Sequence, residues 1–203
     1  MEYAYGNWFL AIGISVLFLW FTFDAFKPKT RTDWKSYGLF GAFIVALFTE
    51  MYGFPLTIYL LTSWFGSRFP QLNFSHTSGH LWEVLANNTV DPHWSFLHIV
   101  SNIFIIGGLL LISYAWNVLY QAVKKKTLAT VGPYRYIRHP QYVGFSLIII
   151  GFLLQWPTLI TVFMAPFLLW RYWRLSKLEE KEMEDKFKNS YFEYKKLTPA
   201  FIP

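Results

Sequence analysis

Residues 143–171, VGFSLIIIGFLLQWPTLITVFMAPFLLWR, contain no charged side chain before the final arginine, and Trp156-Pro157 lies at their centre. Basic residues stand at both ends, Arg138 before the stretch and Arg171 after it. Because basic residues favour the cytoplasmic side of a membrane, both ends are expected on that side. Proline interrupts a regular helix. The pattern therefore predicts a helical hairpin that enters the membrane and returns, with a single kinked span as the alternative.

Three further apolar runs precede this stretch, at Tyr3–Phe23, Tyr37–Phe65 and Trp94–Val123. Each is long enough to cross a bilayer, which takes about 20 residues. The second run is interrupted by Glu50 and by a Gly53-Phe54-Pro55 break. These runs predict three spans before the hairpin.

The composition agrees with a membrane protein. Of the 203 residues, 54% are hydrophobic and 15% charged, whereas a soluble domain has about 25% charged residues. These values exclude a soluble globular domain and a disordered chain. Cysteine is absent, which excludes a disulfide-stabilised secreted module, thiolate metal sites and a cysteine nucleophile.

The positions of the basic residues predict an orientation. Every Lys and Arg except Arg68 falls on one side if the N-terminus lies outside, loop 66–92 lies outside and the C-terminus is cytoplasmic. This is the positive-inside arrangement. The net charge of +6 is then a topology signal and a contact for membrane lipids rather than a nucleic-acid surface. A bacterial inner membrane or the endoplasmic reticulum suits this orientation.

These patterns predict an all-α integral membrane protein with about five transmembrane helices. Residues 1–123 form a region with three spans and the outer loop 66–92. Residues 124–203 form a second region with the helical hairpin, whose arms are the last two of the five, and a cytoplasmic C-terminal amphipathic helix.

The predicted C-terminal helix has a carboxylate on its apolar stripe. Glu179 lies in the row Leu175, Met183, Phe187 and Tyr191, at helical spacing. The neighbouring acids mostly fall on the solvated face: Glu180, Glu182, Glu184 and Asp185. A buried carboxylate is costly without a partner. Glu179 therefore pairs with a basic loop residue or faces a cationic or hydroxyl-bearing ligand.

A dense segment, GPYRYIRHPQY at 132–142, lies before the hairpin. Gly132-Pro133 favours a turn, and Pro140 restricts His139 to an extended conformation. Basic, aromatic and hydrogen-bonding groups are therefore concentrated at the cytoplasmic mouth of the hairpin. An interfacial belt of Tyr, Arg and His is the simpler interpretation of this segment on composition alone.

The two segments together resemble the isoprenylcysteine carboxyl methyltransferase family, and more broadly the membrane methyltransferases that include phospholipid N-methyltransferases. The resemblance covers residues 124–203. The stretches that carry it are TLATVGPY at 127–134, RHPQYVG at 138–144, Glu179-Glu180, and TPAFIP at 198–203.

The resemblance implies methyl transfer from S-adenosylmethionine, at the cytoplasmic face, to a hydrophobic or amphipathic acceptor that enters from the bilayer. An isoprenylcysteine carboxylate-like group, a lipid amine and a thiol are the acceptors left open. The cofactor-binding positions that it implies are Lys126, Thr127, Leu128, Ala129, Tyr134, His139, Pro140, Gln141, Tyr142 and Glu179. Family members commonly have His where this chain has Lys126.

Three residues are candidates for the chemistry itself. His139, or alternatively Glu179, could deprotonate an amine or thiol acceptor. The prenylcysteine enzymes have an arginine at the position of Leu175, so the resemblance leaves Arg174 or Arg171 as the residue that meets the substrate. Glu50 lies within a predicted span, where an acid is a functional candidate by default; bonding of its protonated form to Ser101 or Asn102 is the structural alternative.

Two other functions remain open. Sterol reductases that use NADPH resemble this C-terminal layout, but Gln141 and Phe145 stand where those enzymes usually have an asparagine and an acid. A non-enzymatic metal-handling protein would use the outer histidines. His76, His80 and Glu83 have a helical spacing compatible with a metal, although polar loop surface is the simpler interpretation and no metal site is predicted.

Overall fold

The computed structural model describes residues 5–69, 74, 76–86 and 91–202, with backbone alone at 76 and 77. These ranges are helical and contain no strand, which confirms the predicted all-α class. The α-helices are α1 Trp8–Phe26, α2 Arg31–Phe48, α3 Leu56–Phe65, α4 Leu81–Leu85, α5 Phe96–Lys125, α6 Pro140–Gln155, α7 Leu159–Phe187 and α8 Asn189–Leu197. A π-helical turn covers Thr49–Gly53, and 3-10 turns cover His76–Gly79, Pro92–Trp94 and Gly132–Arg135.

Two helices, α1 and α5, are long and apolar enough to cross a membrane, and α2 with α3 makes a third candidate if their 62° bend lies within one span. α6 is a shorter apolar helix. Large apolar side chains point outward, with Phe9 94%, Leu110 66% and Phe163 79% exposed. Such surfaces suit lipid rather than water. The count of five spans and the orientation stay predictions.

The predicted break in the second run occurs as a turn between α2 and α3. α2 passes into the π-helical turn at Thr49, and Pro55 directly precedes α3. The side chain of Glu50 is buried there, and its Oε2 accepts a hydrogen bond from the backbone N–H of Thr57 at 2.8 Å. Glu50 thus satisfies one of the free N–H groups at the start of α3.

α6 and α7 run antiparallel, the arrangement that the predicted hairpin requires; that this pair enters and leaves a membrane stays a prediction. Tyr142 at the start of α6 donates to Glu179 near the end of α7, with 2.5 Å between Oη and Oε1. Further along, the rings of Phe145 and Tyr172 stack at 5.7 Å. The turn between the arms ends at Thr158, whose side chain forms a capping box with Thr161.

The second arm does not stop where the sequence predicts a separate tail helix. α7 runs through Pro166 as one helix of 29 residues and includes most of the predicted C-terminal helix. It ends at Lys188, which has a positive φ of 46°, and α8 follows. A stiff α7 therefore carries Glu179 directly on the second arm of the hairpin.

The core lies between α1, α2, α5, α6 and α7. Aromatic rings fill it, with Phe145 4.9 Å from Phe40 and 5.0 Å from Phe26 between ring centroids. α5 and α6 approach closely at Gly108 and Gly144, where an added Cβ at Gly108 would lie 2.6 Å from the Gly144 carbonyl oxygen. This packing brings the C-terminal end of α5 beside the start of α6.

Candidate active site

A cavity of about 210 Å³ opens where the α1–α2 turn, the end of α5, the start of α6, the end of α7 and α8 meet. Its lining residues are Lys29, Thr30, Thr32, Asp33, Trp116, Leu119, Tyr120, Val123, Thr127, Leu128, Ala129, Tyr134, Arg138, His139, Gln141, Glu179, Glu182, Met183, Lys186, Phe187 and Tyr191.

The first predicted cofactor segment leaves α5 at the cavity wall. Lys126 ends the helix in the left-handed conformation, with φ 55°. This turn directs Thr127, Leu128 and Ala129 along the cavity, whereas Lys126 is not among the described residues that line it. Three of the four predicted positions are therefore brought to the same wall.

The second predicted segment lies before and at the start of α6, where Tyr134 packs in one buried cluster with Ala129. Tyr134, His139 and Gln141 line the cavity. The Tyr134 hydroxyl donates to Gln141 Oε1 at 3.1 Å, and Gln141 Nε2 donates to Glu179 Oε2 at 3.4 Å. Tyr142 stands behind them and donates to the other oxygen of Glu179. Pro140 is the first residue of α6, a position that suits proline because no intrahelical N–H bond is needed there.

Glu179 is the acid at the centre of this arrangement. Its side chain is 20% exposed and lines the cavity. His139 Nδ1 lies 3.4 Å from its Oε2, an ion-pair distance without hydrogen-bond alignment. The sequence leaves two interpretations open for Glu179, a basic partner or a ligand. The structure has features of both, because His139 lies at ion-pair distance and the Glu179 side chain lines the cavity.

Glu180 is buried, which the helical pattern did not predict. Arg138 donates to Glu180 Oε1 from Nε at 3.1 Å and from Nη2 at 2.7 Å. Lys177 and Lys195 approach Oε2 at 3.2 and 3.4 Å. Hydrogen bonding from His139 and Arg138 lowers the pKa of Glu180 far below its usual range, against the opposing effect of burial. Glu180 is therefore ionised and satisfied by basic groups.

His139 lies between both carboxylates. Its Nε2 is 3.4 Å from Glu180 Oε1, while Nδ1 faces Glu179. Burial alone would lower the pKa of His139, but the two carboxylates together raise it above its ordinary value. The ring is thus held toward its protonated form.

The C-terminal residues close over this network. The backbone N–H groups of Arg138 and His139 donate to the carbonyls of Pro199 and Ala200 at 2.9 and 3.1 Å. Arg138 also donates from Nη1 to the carbonyl of Thr198. These bonds join residues 198–200 to the turn at Arg138 and His139. Both stretches belong to the sequence resemblance described above.

Two of the predicted catalytic residues are not brought to the cavity. Arg174 is exposed, with its guanidinium 5.5 Å from the Trp170 ring centroid, and Leu175 is buried in the core. Glu50 is not among the described lining residues and caps α3. Ser101, the partner considered for Glu50, donates to Gln155 instead, at 2.8 Å. Of the three, His139 alone faces the cavity among the residues that the structure describes.

One wall of the cavity has no counterpart in the sequence predictions. Two residues of the α1–α2 turn, Lys29 and Thr30, and two in the first turn of α2, Thr32 and Asp33, line it. A capping box between Thr30 and Asp33 was readable as a helix start. Nothing local to this turn indicates that it reaches a cavity formed by residues 116–191, because that contact depends on helix packing.

The outer histidines form a separate cluster. The ring centroids of His80, His93 and His98 lie 5.1–5.5 Å apart, and His80 Nδ1 is 3.0 Å from the Gln155 carbonyl oxygen. Within the described ranges, no group of three or more His, Asp or Glu side chains has a geometry that could hold a metal ion. The side chain of His76, part of the metal hypothesis, lies outside the described residues.

The family comparison covers the two long walls of the cavity. A model of the isoprenylcysteine carboxyl methyltransferase family matches residues 94–185. This segment is therefore similar to that family. It contains all of α5, α6 and most of α7, so the family likeness begins some thirty residues before the segment where the sequence resemblance was recognised. The α1–α2 turn lies outside it.

One curated relative supports the same assignment. The chain is 30% identical over 92 residues to a protein of Schizosaccharomyces pombe named protein-S-isoprenylcysteine O-methyltransferase. The alignment covers 45% of this chain and 39% of that relative, so the chain matches about two fifths of the relative's length. No solved structure matches the fold.

Proposed function

We propose that this protein is an integral membrane methyltransferase that moves a methyl group from S-adenosylmethionine to a hydrophobic or amphipathic acceptor at the cytoplasmic face. The observation that carries the proposal is the position of Glu179. It lies in the family-matched segment, faces a cavity, and is positioned by Tyr142 and Gln141.

The cavity residues fit this cofactor. Glu179 suits an ammonium group or a ribose diol, and the ring of Tyr134 suits adenine or a sulfonium, a contact worth about 0.5–2 kcal/mol. His139 contributes a buried Nδ1 that lacks an aligned hydrogen-bond partner within the described residues. When bound, the cofactor would supply an electrophilic methyl group.

The protein's own contribution is mainly positioning. Holding two reactants in contact supplies a large part of the rate of a displacement reaction. Because its two carboxylate neighbours raise the pKa of His139, this residue serves better as a fixed cation than as a base. A carboxylate acceptor needs no base, whereas for an amine or thiol Glu179 is the better-placed acceptor of the proton.

The acceptor classes left open are an isoprenylcysteine carboxylate-like group, a lipid amine and a thiol. The exposed apolar surface of α1 and α5 is consistent with an acceptor that approaches from the bilayer. The reductase and metal-handling hypotheses gain no support, since the matched family is one of methyltransferases.

Calorimetry on the purified protein tests the proposal. We expect S-adenosylhomocysteine to bind the wild-type protein and NADPH to produce no heat of binding. Glu179→Gln removes one charged hydrogen-bond acceptor and should weaken S-adenosylhomocysteine binding by about 10-fold to 100-fold, the range for a hydrogen bond to a charged group.

Glu193→Gln is the matched control, because Glu193 lies on α8 in an exposed pair with Lys196. This variant should bind S-adenosylhomocysteine as the wild type does. Absence of binding to the wild-type protein would refute the proposed function, and unchanged affinity in Glu179→Gln would refute the role of Glu179.

A further inference from the structure

The α1–α2 turn is a stiff wall of the cavity. Lys27 ends α1 with a positive φ of 41°, and the next residue is a buried proline, Pro28. The backbone N–H groups of Lys29 and Thr30 then both donate to Asp33 Oδ2, at 3.0 and 2.8 Å. This turn therefore presents Lys29 to the cavity from a fixed backbone.

The basic residues that line the cavity differ in the contacts that they already make within the protein. Arg138 is bound to Glu180 and to carbonyls of the C-terminal segment. Lys186 makes no ion pair with a carboxylate among the described residues, and its Nζ lies 5.3 Å from the centroid of the ring of its own neighbour, Phe187. Lys29 likewise has no carboxylate within ion-pair distance of its Nζ among the residues that the structure describes.

The Lys29 side chain is nevertheless positioned. Its Nζ lies 3.9 Å from the centroid of the Tyr120 ring, on the end of α5. A ring face attracts a cation without neutralising its charge. The ammonium group is thus fixed at the cavity and keeps its capacity to pair with an anion.

From these observations we propose that Lys29 binds a ligand carboxylate in the cavity. The inference rests on the proposed function, which brings two carboxylates to this site: the amino-acid carboxylate of the cofactor and that of a prenylcysteine-like acceptor. The other basic residues near the hairpin exit, Arg171 and Arg174, do not line the described cavity. Lys29 is therefore a specificity-determining residue supplied by the part of the chain that the family model does not cover.

Two measurements on Lys29→Gln separate the sources of the carboxylate. If the cofactor supplies it, S-adenosylhomocysteine should bind about tenfold more weakly than to the wild type. Its decarboxylated analogue should then bind both proteins equally. If the acceptor supplies it, binding of S-adenosylhomocysteine is unchanged, and the KM for N-acetyl-S-farnesylcysteine rises about tenfold while kcat changes less.

Lys35→Gln is the matched control, since Lys35 is exposed on α2 and does not line the cavity. Lys29→Arg should restore most of the lost affinity because it keeps the charge. If Lys29→Gln matches Lys35→Gln in both measurements, the inference is overturned. That result differs from failure of the proposed function, in which the wild-type protein itself binds no S-adenosylhomocysteine.

Discussion

Glu179 and Glu180 are adjacent in the chain but have different surroundings. Glu179 accepts hydrogen bonds from the neutral groups of Tyr142 and Gln141, has His139 as its one basic neighbour among the described residues, and borders the cavity. Glu180 is surrounded by basic groups and is 3% exposed. The first is thus available to a ligand, whereas the second is committed to the fold. Helical periodicity could single out Glu179 but could not detect that basic groups from two other segments, α8 and the turn before α6, surround Glu180.

Because ionised Glu180 stabilises the fold, we expect its contribution to the free energy of unfolding to depend on pH. Glu180→Gln leaves Arg138 buried without its carboxylate and should destabilise the protein by about 3–5 kcal/mol near neutral pH. Because the folded-state pKa of Glu180 is lowered, its contribution is complete above the unfolded pKa of about 4.3 and is lost as the pH falls through the folded value.

Thermal unfolding in detergent, followed from pH 7 toward pH 3, measures this effect. The difference in midpoint between the wild type and Glu180→Gln should shrink toward acid. Glu193→Gln disrupts an exposed pair and should change stability by no more than about 1 kcal/mol at any of these pH values. A difference between wild type and Glu180→Gln that stays constant with pH would contradict the assignment.

At the scale of elements, the close approach of α5 and α6 positions the cavity walls. Two neighbouring glycines of α5 differ in their surroundings. An added Cβ at Gly108 would lie 2.6 Å from a backbone oxygen of α6, whereas one at Gly107 meets nothing within 4 Å. The sequence shows two equivalent glycines, and helix packing alone distinguishes them.

Because of this difference, we expect a glycine-to-alanine substitution to have opposite effects on stability at positions 107 and 108. Gly108→Ala should destabilise the protein by about 1–3 kcal/mol, because the backbone of α6 must shift. Gly107→Ala should be neutral or stabilise by up to about 1 kcal/mol through its higher helix propensity. The unfolding midpoints of the two variants in the same detergent compare these effects directly. Equal midpoints would show that α5 and α6 do not meet at Gly108.

At the scale of the whole molecule, the antiparallel hairpin and the positions of basic residues predict a topology. Lys124, at the end of α5, and Lys181, on α7, lie toward the cavity end of the molecule. Trp94 lies at the opposite end of α5 and is 78% exposed. The chain has no native cysteine. Each introduced cysteine is therefore the only thiol in the protein.

Single-cysteine labelling in sealed vesicles of known orientation tests this arrangement. We expect an impermeant maleimide to modify Lys124→Cys and Lys181→Cys from the cytoplasmic side and Trp94→Cys from the outer side. Labelling of Lys124→Cys and Lys181→Cys from opposite sides would contradict the prediction that both ends of the hairpin lie on the cytoplasmic side. Labelling after detergent solubilisation confirms that each cysteine is reactive.

Several features of this protein depend only on local pattern and on charge and were therefore predictable from the amino-acid sequence. Apolar runs predicted the long helices, Trp156-Pro157 predicted the turn between α6 and α7, and helical spacing marked Glu179 as unusual. These features are readable because hydrophobic length, proline geometry and side-chain period act within a few turns of chain. Nine cofactor positions between 126 and 142 were recognised by resemblance, and six of them line the cavity.

Which distant groups meet depends on helix packing and was visible only in the three-dimensional arrangement. This packing placed Lys29 and Asp33 at the cavity, buried Glu180 against Arg138, and left Arg174 and Glu50 away from the cavity. These outcomes follow from how α2, α5, α6 and α7 pack, and a difference of one position around a helix changes which side chains face inward. Such contacts join residues more than forty positions apart, and no local pattern encodes them.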